Sequence, residues 1–117
     1  MKYFKLSEFD SPDVVGSGKA MDRVFLSMLD NARDIANVPF KITSGVRSEA
    51  WNHKVGGVKN SSHILGYAAD IACNTSSHRF RIINALLEAG FNRIGVADTF
   101  IHVDNDPNKV ANVVWTY

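Results

Sequence analysis

The strongest constraint on the fold is a stretch of helical periodicity at residues 19–36. Its apolar side chains recur every third or fourth position, as expected for one face of an amphipathic helix. They are Met21, Val24, Phe25, Met28, Leu29, Ala32, Ile35 and Ala36. Pro39 prevents this helix from continuing, because proline lacks the backbone N–H that the next turn would need. The apolar face must be buried against a second layer of structure, which the rest of the chain has to supply.

Shorter patterns elsewhere predict that this second layer is a sheet. Strand-like segments lie between turn formers at residues 40–43, 66–73, 93–96, 100–104 and 113–115. Helix signals cover residues 48–54 and run from Ser76 to a stop at Gly90. Turn formers dominate the first 19 residues, which we expect to wrap around the rest. The predicted fold is α+β, with a small antiparallel sheet packed against two or three helices.

The composition is typical of one soluble domain, which we predict to span residues 1–117. The chain is 45% hydrophobic and contains seven Phe, three Tyr and two Trp, enough to close a core at this size. Cys73 is the single cysteine, so an internal disulfide is excluded. Because neither a disulfide nor a structural metal is needed for folding, a metal ion bound here would serve the function.

Charge and hydropathy exclude two classes of partner. The net charge is +1, and the 13 basic residues are scattered, which argues against a nucleic-acid-binding surface. No window of 18 apolar residues exists, and residues 1–6 lack the apolar region of a signal peptide. We therefore expect a protein made in the cytoplasm, with neither nucleic acid nor membrane as a partner.

Three residues of the predicted sheet region have the chemistry of a metal site. His63 precedes a strand, Asp70 lies on it, and His102 lies on another strand. Adjacent strands are about 4.8 Å apart, so side chains on one face can share an ion. Catalytic zinc commonly takes three protein ligands and keeps a fourth position for water. His63, Asp70 and His102 are thus candidate zinc ligands.

Each of these residues also has a simpler interpretation. A lone histidine is more often a surface or core-capping residue, and Asp70 in a strand can simply pair with a nearby arginine. The context favours a metal, because an unpartnered ionisable group among apolar strand positions would cost several kcal/mol.

Ordered motifs along essentially the whole chain carry a family resemblance. They are Tyr3–Phe9, Ile42–Ser48, Asn52 with Val55–Gly57, Ser62-His63, Gly66 with Ala68 and Asp70-Ile71, Gly90-Phe91, Arg93–Gly95, Phe100–Asp104 and Trp115–Tyr117. With these motifs the sequence resembles the zinc D-alanyl-D-alanine metallopeptidases, peptidase family M15. It is most similar to the small single-domain members that bacteriophages and bacteria often encode.

The resemblance implies a fold, a cofactor and several roles. The fold would be the one shared with the amino-terminal signalling domain of hedgehog proteins, and the cofactor would be Zn²⁺. By family position His63, Asp70 and His102 would be its ligands. Arg47 matches the arginine that holds substrate or polarises its scissile carbonyl, a role that suits an always-charged guanidinium, although a surface ion pair is its simpler interpretation. Ser62 would help to orient the substrate or a ligand.

The general base is where the sequence departs from the family pattern. Many relatives place Glu or Asp three residues before the last histidine, whereas this chain has Thr99 there and Asp98 one residue earlier. That shift reverses the face of a regular strand, but a bulge or bend can restore the aim. Asp98 is the first candidate for the base. Asp104 shares a face with His102, so it is either the orienter of that histidine or the base itself.

The resemblance implies a zinc peptidase that cuts D-Ala-containing peptides of peptidoglycan, as carboxypeptidase or endopeptidase. The alternative is a zinc-containing cell-wall-binding module or virion component with weak catalysis, which the displaced Asp98 would explain. We expect a monomer whose partner is the peptidoglycan stem peptide. It would act at the bacterial cell wall after phage-type release, as an endolysin does, although a bacterial remodelling role is equally compatible with the residues.

Overall fold

Three helices and five strands make up the fold in the computed structural model, which describes residues 1–117. The helices are α1 (Arg23–Ala36), α2 (Glu49–Lys54) and α3 (Ser76–Glu88), and the strands are β1 (Ile42–Ser44), β2 (Ala68–Ala72), β3 (Arg93–Val96), β4 (Phe100–Asp104) and β5 (Val113–Thr116). Two short 3₁₀ helices, Leu6–Phe9 and Ser17–Ala20, precede α1. The predicted α+β class is confirmed.

Local signals explain where the two long helices begin and end. Asp22 accepts a hydrogen bond from the backbone N–H of Phe25, so α1 begins after it rather than at residue 19. Thr75 does the same for α3 through the N–H of His78. α1 ends at Asn37, which has a left-handed backbone conformation. No helix combines the length and the apolar character needed to cross a membrane.

The strands form one sheet in the order β1-β2-β4-β3-β5. The prediction of a purely antiparallel sheet is wrong at one edge, because β5 runs parallel to β3. The connection between β4 and β5 is short, so the chain reverses and β5 runs in the direction opposite to β4. β3 already occupies the place beside β4, so β5 pairs with the outer edge of β3 and shares its direction.

One face of the sheet builds the core with α1 and α3. β4 contributes Ile101 and Val103, and β2 contributes Ile71, all fully buried. Because side chains alternate along a strand, the neighbouring positions on β2 and β4 point to the opposite face. That opposite face carries Asp70 and His102, which the register pairs directly.

Candidate metal centre

Two elements and one loop bring the three predicted ligands together. Asp70 lies in the middle of β2 and His102 in the middle of β4, directly opposite each other. His63 comes from the loop between α2 and β2, and its ring Nδ1 lies 2.8 Å from the carbonyl oxygen of Gly45. The loop is held further by the backbone N–H of Arg47, which donates to the carbonyl of His63 at 3.0 Å.

The ligand atoms of His63, Asp70 and His102 converge on one point. They all lie within 4.8 Å of one another. Asp70 Oδ1 is 3.4 Å from His63 Nε2 and 3.1 Å from His102 Nδ1. All three residues are at least nine-tenths buried, with exposures of 3%, 8% and 8%. The structure thus brings together the three residues that the sequence pattern singled out.

The outer hydrogen bonds of the two histidines direct their free nitrogens inward. The Gly45 carbonyl only accepts, so His63 Nδ1 carries a proton and the neutral ring has its lone pair on Nε2. Asp104 Oδ2 lies 2.7 Å from His102 Nε2, which assigns the proton to Nε2 and the lone pair of the neutral ring to Nδ1. Two lone pairs and a carboxylate oxygen then face one another, an arrangement that fits a bound cation.

The directions of the pKa shifts of Asp70 and His102 both indicate that a positive charge is favoured between these two residues. Burial raises the pKa of Asp70, but hydrogen bonds with His102 and His63 outweigh it and hold the pKa well below the usual range. Burial lowers the pKa of His102, yet Asp104 and Asp70 reverse this and raise it. The same carboxylates that raise the pKa of His102 would also favour a bound cation.

Asp104 contacts Nε2 of His102, and Arg93 in turn holds Asp104. The buried guanidinium of Arg93 donates from Nε to Asp104 Oδ1 at 2.7 Å and from Nη1 to the carbonyl of Val110. It also lies over the ring of Trp115, 5.2 Å from the centroid. Asp104 is 1% exposed, and the N–H of Asp106 donates to its Oδ1 as well. This geometry corresponds to the orienting role among the two roles predicted for Asp104.

Arg47 approaches the ligands from the opposite side. Its Nη2 lies 3.6 Å from Asp70 Oδ2, and its Nε and Nη1 donate to Ser44 and Asn52. The side chain is 16% exposed, so the guanidinium is held in place and still reaches the solvent. The predicted substrate-binding or carbonyl-polarising role needs a fixed, accessible cation, which this geometry provides.

A cleft of about 400 Å³ gives access to the ligands. Val55 and Val58 line one side and Phe100, Trp115 and Tyr117 line the other. The rings of His102 and Trp115 are 5.5 Å apart. Gly95 lies between them in register, and a Cβ there would come within 2.6 Å of Trp115 Nε1. Because Gly95 has no side chain, the indole of Trp115 can lie close to the ring of His102.

The comparison with known families agrees with this geometry. The family model for peptidase M15 matches residues 3–104, most of the chain. The chain belongs to the peptidase M15 family. No curated protein matches it significantly. M15 peptidases are typically metallopeptidases, and the buried cluster of His63, Asp70 and His102 is compatible with such a metal site.

Asp98 lies away from the ligand set. Its side chain is exposed in the turn between β3 and β4, and it does not line the cleft. The N–H of Ala97 donates to the carbonyl of Phe100 and closes the hairpin, and the backbone bends at Asp98 and Thr99. The role of Asp98 as general base therefore stays a prediction.

Ser62 lines the cleft, but its hydroxyl is engaged with the protein. Its Oγ donates to Asp106 Oδ2 at 2.7 Å and accepts from Lys109 Nζ at 2.9 Å.

Sequence reasoning missed Lys109 and gave Arg93 no role. Arg93 and Gly95 alternate onto the face of His102, but only the strand order, with β3 beside β4, reveals this. Lys109 lies in a connection without any motif.

We expect Gly45→Ala to weaken both the fold and the metal site. An added Cβ would lie 2.5 Å from Cα and 2.6 Å from the carbonyl oxygen of Phe9, so two backbone segments must separate. Such overpacking costs about 1–3 kcal/mol, and the movement would also displace the carbonyl that holds His63. Urea unfolding and metal titration measure the two effects. The exposed Lys41→Ala serves as control, and unchanged stability of Gly45→Ala would contradict the close approach.

Proposed function

We propose that the chain is a zinc-dependent D,D-peptidase that hydrolyses D-Ala-containing peptide bonds of bacterial peptidoglycan. The observation that carries the proposal is the convergence of His63 Nε2, Asp70 Oδ1 and His102 Nδ1 beside a cleft that Asp70 and His102 line. Two histidines and one carboxylate match a catalytic zinc site, which leaves a coordination position open. Zinc held by these residues would supply Lewis-acid chemistry and a hydroxide nucleophile at neutral pH.

The chain's own residues orient the ligands and the substrate. Asp104 accepts the Nε2 proton of His102 and so keeps Nδ1 free to bind the ion. Arg47, tied to Ser44 and Asn52, offers a fixed guanidinium to the scissile carbonyl or to the charge that develops on its oxygen. The valines and aromatic residues that line the cleft offer apolar surface to the bound peptide.

The setting of the reaction is part of the same proposal. The partner is the peptidoglycan stem peptide, bound by a monomer that acts at the bacterial cell wall after phage-type release. The near-neutral net charge of +1 supports recognition through the cleft rather than through electrostatic attachment to an anionic wall.

A second candidate, a zinc-containing wall-binding module with weak catalysis, is favoured by one observation. The carboxylates that line the cleft are Asp70 and Asp104. The first belongs to the ligand set, and the second is hydrogen-bonded to His102 and Arg93. No further carboxylate of the cleft is therefore free to take a proton from water.

Zinc content and product analysis test the proposed function. We expect about one zinc per chain by elemental analysis, and mass spectrometry should show peptidoglycan fragments cleaved next to D-Ala. A chelator should stop cleavage and added zinc should restore it. His63→Ala should lose both zinc and cleavage, whereas the exposed His78→Ala should retain both. Zinc without cleavage would support the binding module, and neither zinc nor cleavage after zinc addition would contradict the proposal.

A further inference from the structure

Three cationic side chains line the cleft, and two of them, Arg47 and Arg93, are each held by several groups of the protein. Arg93 is bound to Asp104 at 2.7 Å and to the carbonyl of Val110. Arg47 spreads its guanidinium over Asp70, Ser44 and Asn52. Lys109 is the third cation, and its side chain is the most accessible, at 25% exposure against 16% for Arg47 and 11% for Arg93.

The ammonium of Lys109 keeps hydrogen-bonding capacity for a ligand. Its acidic neighbour, Asp106, is 3.8 Å away, and both oxygens of that carboxylate already accept other hydrogen bonds. Asp106 Oδ2 accepts from Ser62 and Oδ1 accepts from the N–H of Asn108. Lys109 donates one proton to Ser62 Oγ. Of three ammonium protons, at least one is left to face the cleft.

Buried groups fix the position of this ammonium beside the ligand set. Ser62 and Asp106 are each 3% exposed, so neither moves freely. Ser62 directly precedes His63 in the chain, and Lys109 lines the same cleft as Asp70 and His102. The ammonium is therefore held by the protein at one side of the reaction centre.

The charges at the site show which ligand would be favoured. Arg47, Arg93 and Lys109 are balanced by Asp70, Asp104 and Asp106. A bound divalent ion would add positive charge to this balanced set, so the loaded cleft would attract an anion. The anionic group of a peptide is a carboxylate, which an ammonium binds through a charge-assisted hydrogen bond.

We propose that Lys109 binds a carboxylate of the substrate peptide and thereby determines which peptides are cleaved. This inference rests on the proposed function, since it assumes a peptide in the cleft. Lys109 lies beyond residues 3–104, the part of the chain that the family model matches. The specificity would therefore come from the connection between β4 and β5. The carboxylate is either the C-terminus of the peptide or the side chain of an acidic residue within it.

Paired peptides and lysine variants test the role of Lys109. One pair ends in D-Ala-D-Ala with a free carboxylate or an amide, and a second pair carries Glu or Gln in the stem. The zinc-loaded wild type should cleave the charged member of one pair at least about tenfold better, mainly through KM. Lys109→Met should abolish that preference by lowering cleavage of the charged member far more than cleavage of the neutral one, and Lys109→Arg should retain part of it.

The pair that responds identifies the source of the carboxylate. Lys41→Met, an exposed lysine on another part of the surface, is the control and should behave as the wild type does. Equal losses on the charged and neutral peptides, or no change on either, would overturn the proposal.

Calorimetric binding separates failure of this inference from failure of the proposed function. If the zinc-loaded wild type cleaves no peptide, the same pairs are titrated into it and into Lys109→Met. Weaker binding of the charged peptide alone in Lys109→Met would support the carboxylate site without catalysis. Equal binding of both members, or no binding by the wild type, would overturn it.

Discussion

Asp70→Asn is expected to remove metal binding while the protein stays folded. Asp70 Oδ1 faces a ring nitrogen of each histidine at 3.4 Å and 3.1 Å. The introduced amide has nearly the same shape, and its N–H groups can donate to the two lone pairs. The amide thus satisfies the histidines in place of a cation, and the fold keeps its hydrogen bonds.

The expected loss of function in Asp70→Asn is large. Groups that only support a ligand alter metal affinity or activity by about 10–100-fold, so losing a charged ligand should cost at least about 1,000-fold in both. Competition with a chromogenic chelator measures the affinity, and peptide cleavage measures the activity. The exposed Asp34→Asn is the matched control. Metal affinity within tenfold of the wild type would show that Asp70 is not a ligand.

Asp104→Asn should produce the second-largest loss through the proton on His102. Asp104 accepts from Arg93 Nε and from His102 Nε2. If the oxygen of the new amide faces Arg93, its NH2 group faces Nε2 of His102. That ring nitrogen must then accept a hydrogen bond instead of donating one. The proton then lies on Nδ1, the atom that should bind the metal.

We expect metal affinity and cleavage to fall about 100-fold in Asp104→Asn. Stability should also drop, because breaking a buried ion pair leaves Arg93 uncompensated, at a cost of about 3–5 kcal/mol. Chelator competition and urea unfolding of the metal-free protein measure these effects separately. Asp98→Asn is the control and should cleave within twofold of the wild type. If Asp98→Asn instead abolishes cleavage with zinc retained, Asp98 is the general base after all.

Local sequence patterns were sufficient for most of the elements. β3 and β4 have the predicted bounds, since Arg93–Val96 and Phe100–Asp104 alternate between turn formers. α1 begins four residues later than the periodicity of residues 19–36 indicates, because Asp22 caps it. The edge pairing of β5 escaped prediction, because it depends on which strand already occupies the place beside β4.

For the candidate site as well, local sequence patterns could be interpreted, whereas contacts between residues far apart in the chain could not be predicted. The clustering of His63, Asp70 and His102 could be predicted, because Asp70 and His102 lie on predicted strands and His63 precedes one of them. The contacts of Arg93 and Lys109 could not, since their partners Asp104 and Ser62 lie 11 and 47 positions away in the chain. The role of Asp98 stays a prediction, because distance along the chain says little about the direction of a side chain at a hairpin tip.

The pairing of β5 at the edge of the sheet separates the stability of the cleft from that of the core. β5 adds no residue to the buried core cluster, yet Trp115 stands over His102 and belongs to this strand. Edge strands with few buried contacts open locally at a lower free energy than the whole domain unfolds. The wall of the cleft that β5 carries can therefore open locally while β2 and β4, which carry Asp70 and His102, stay paired.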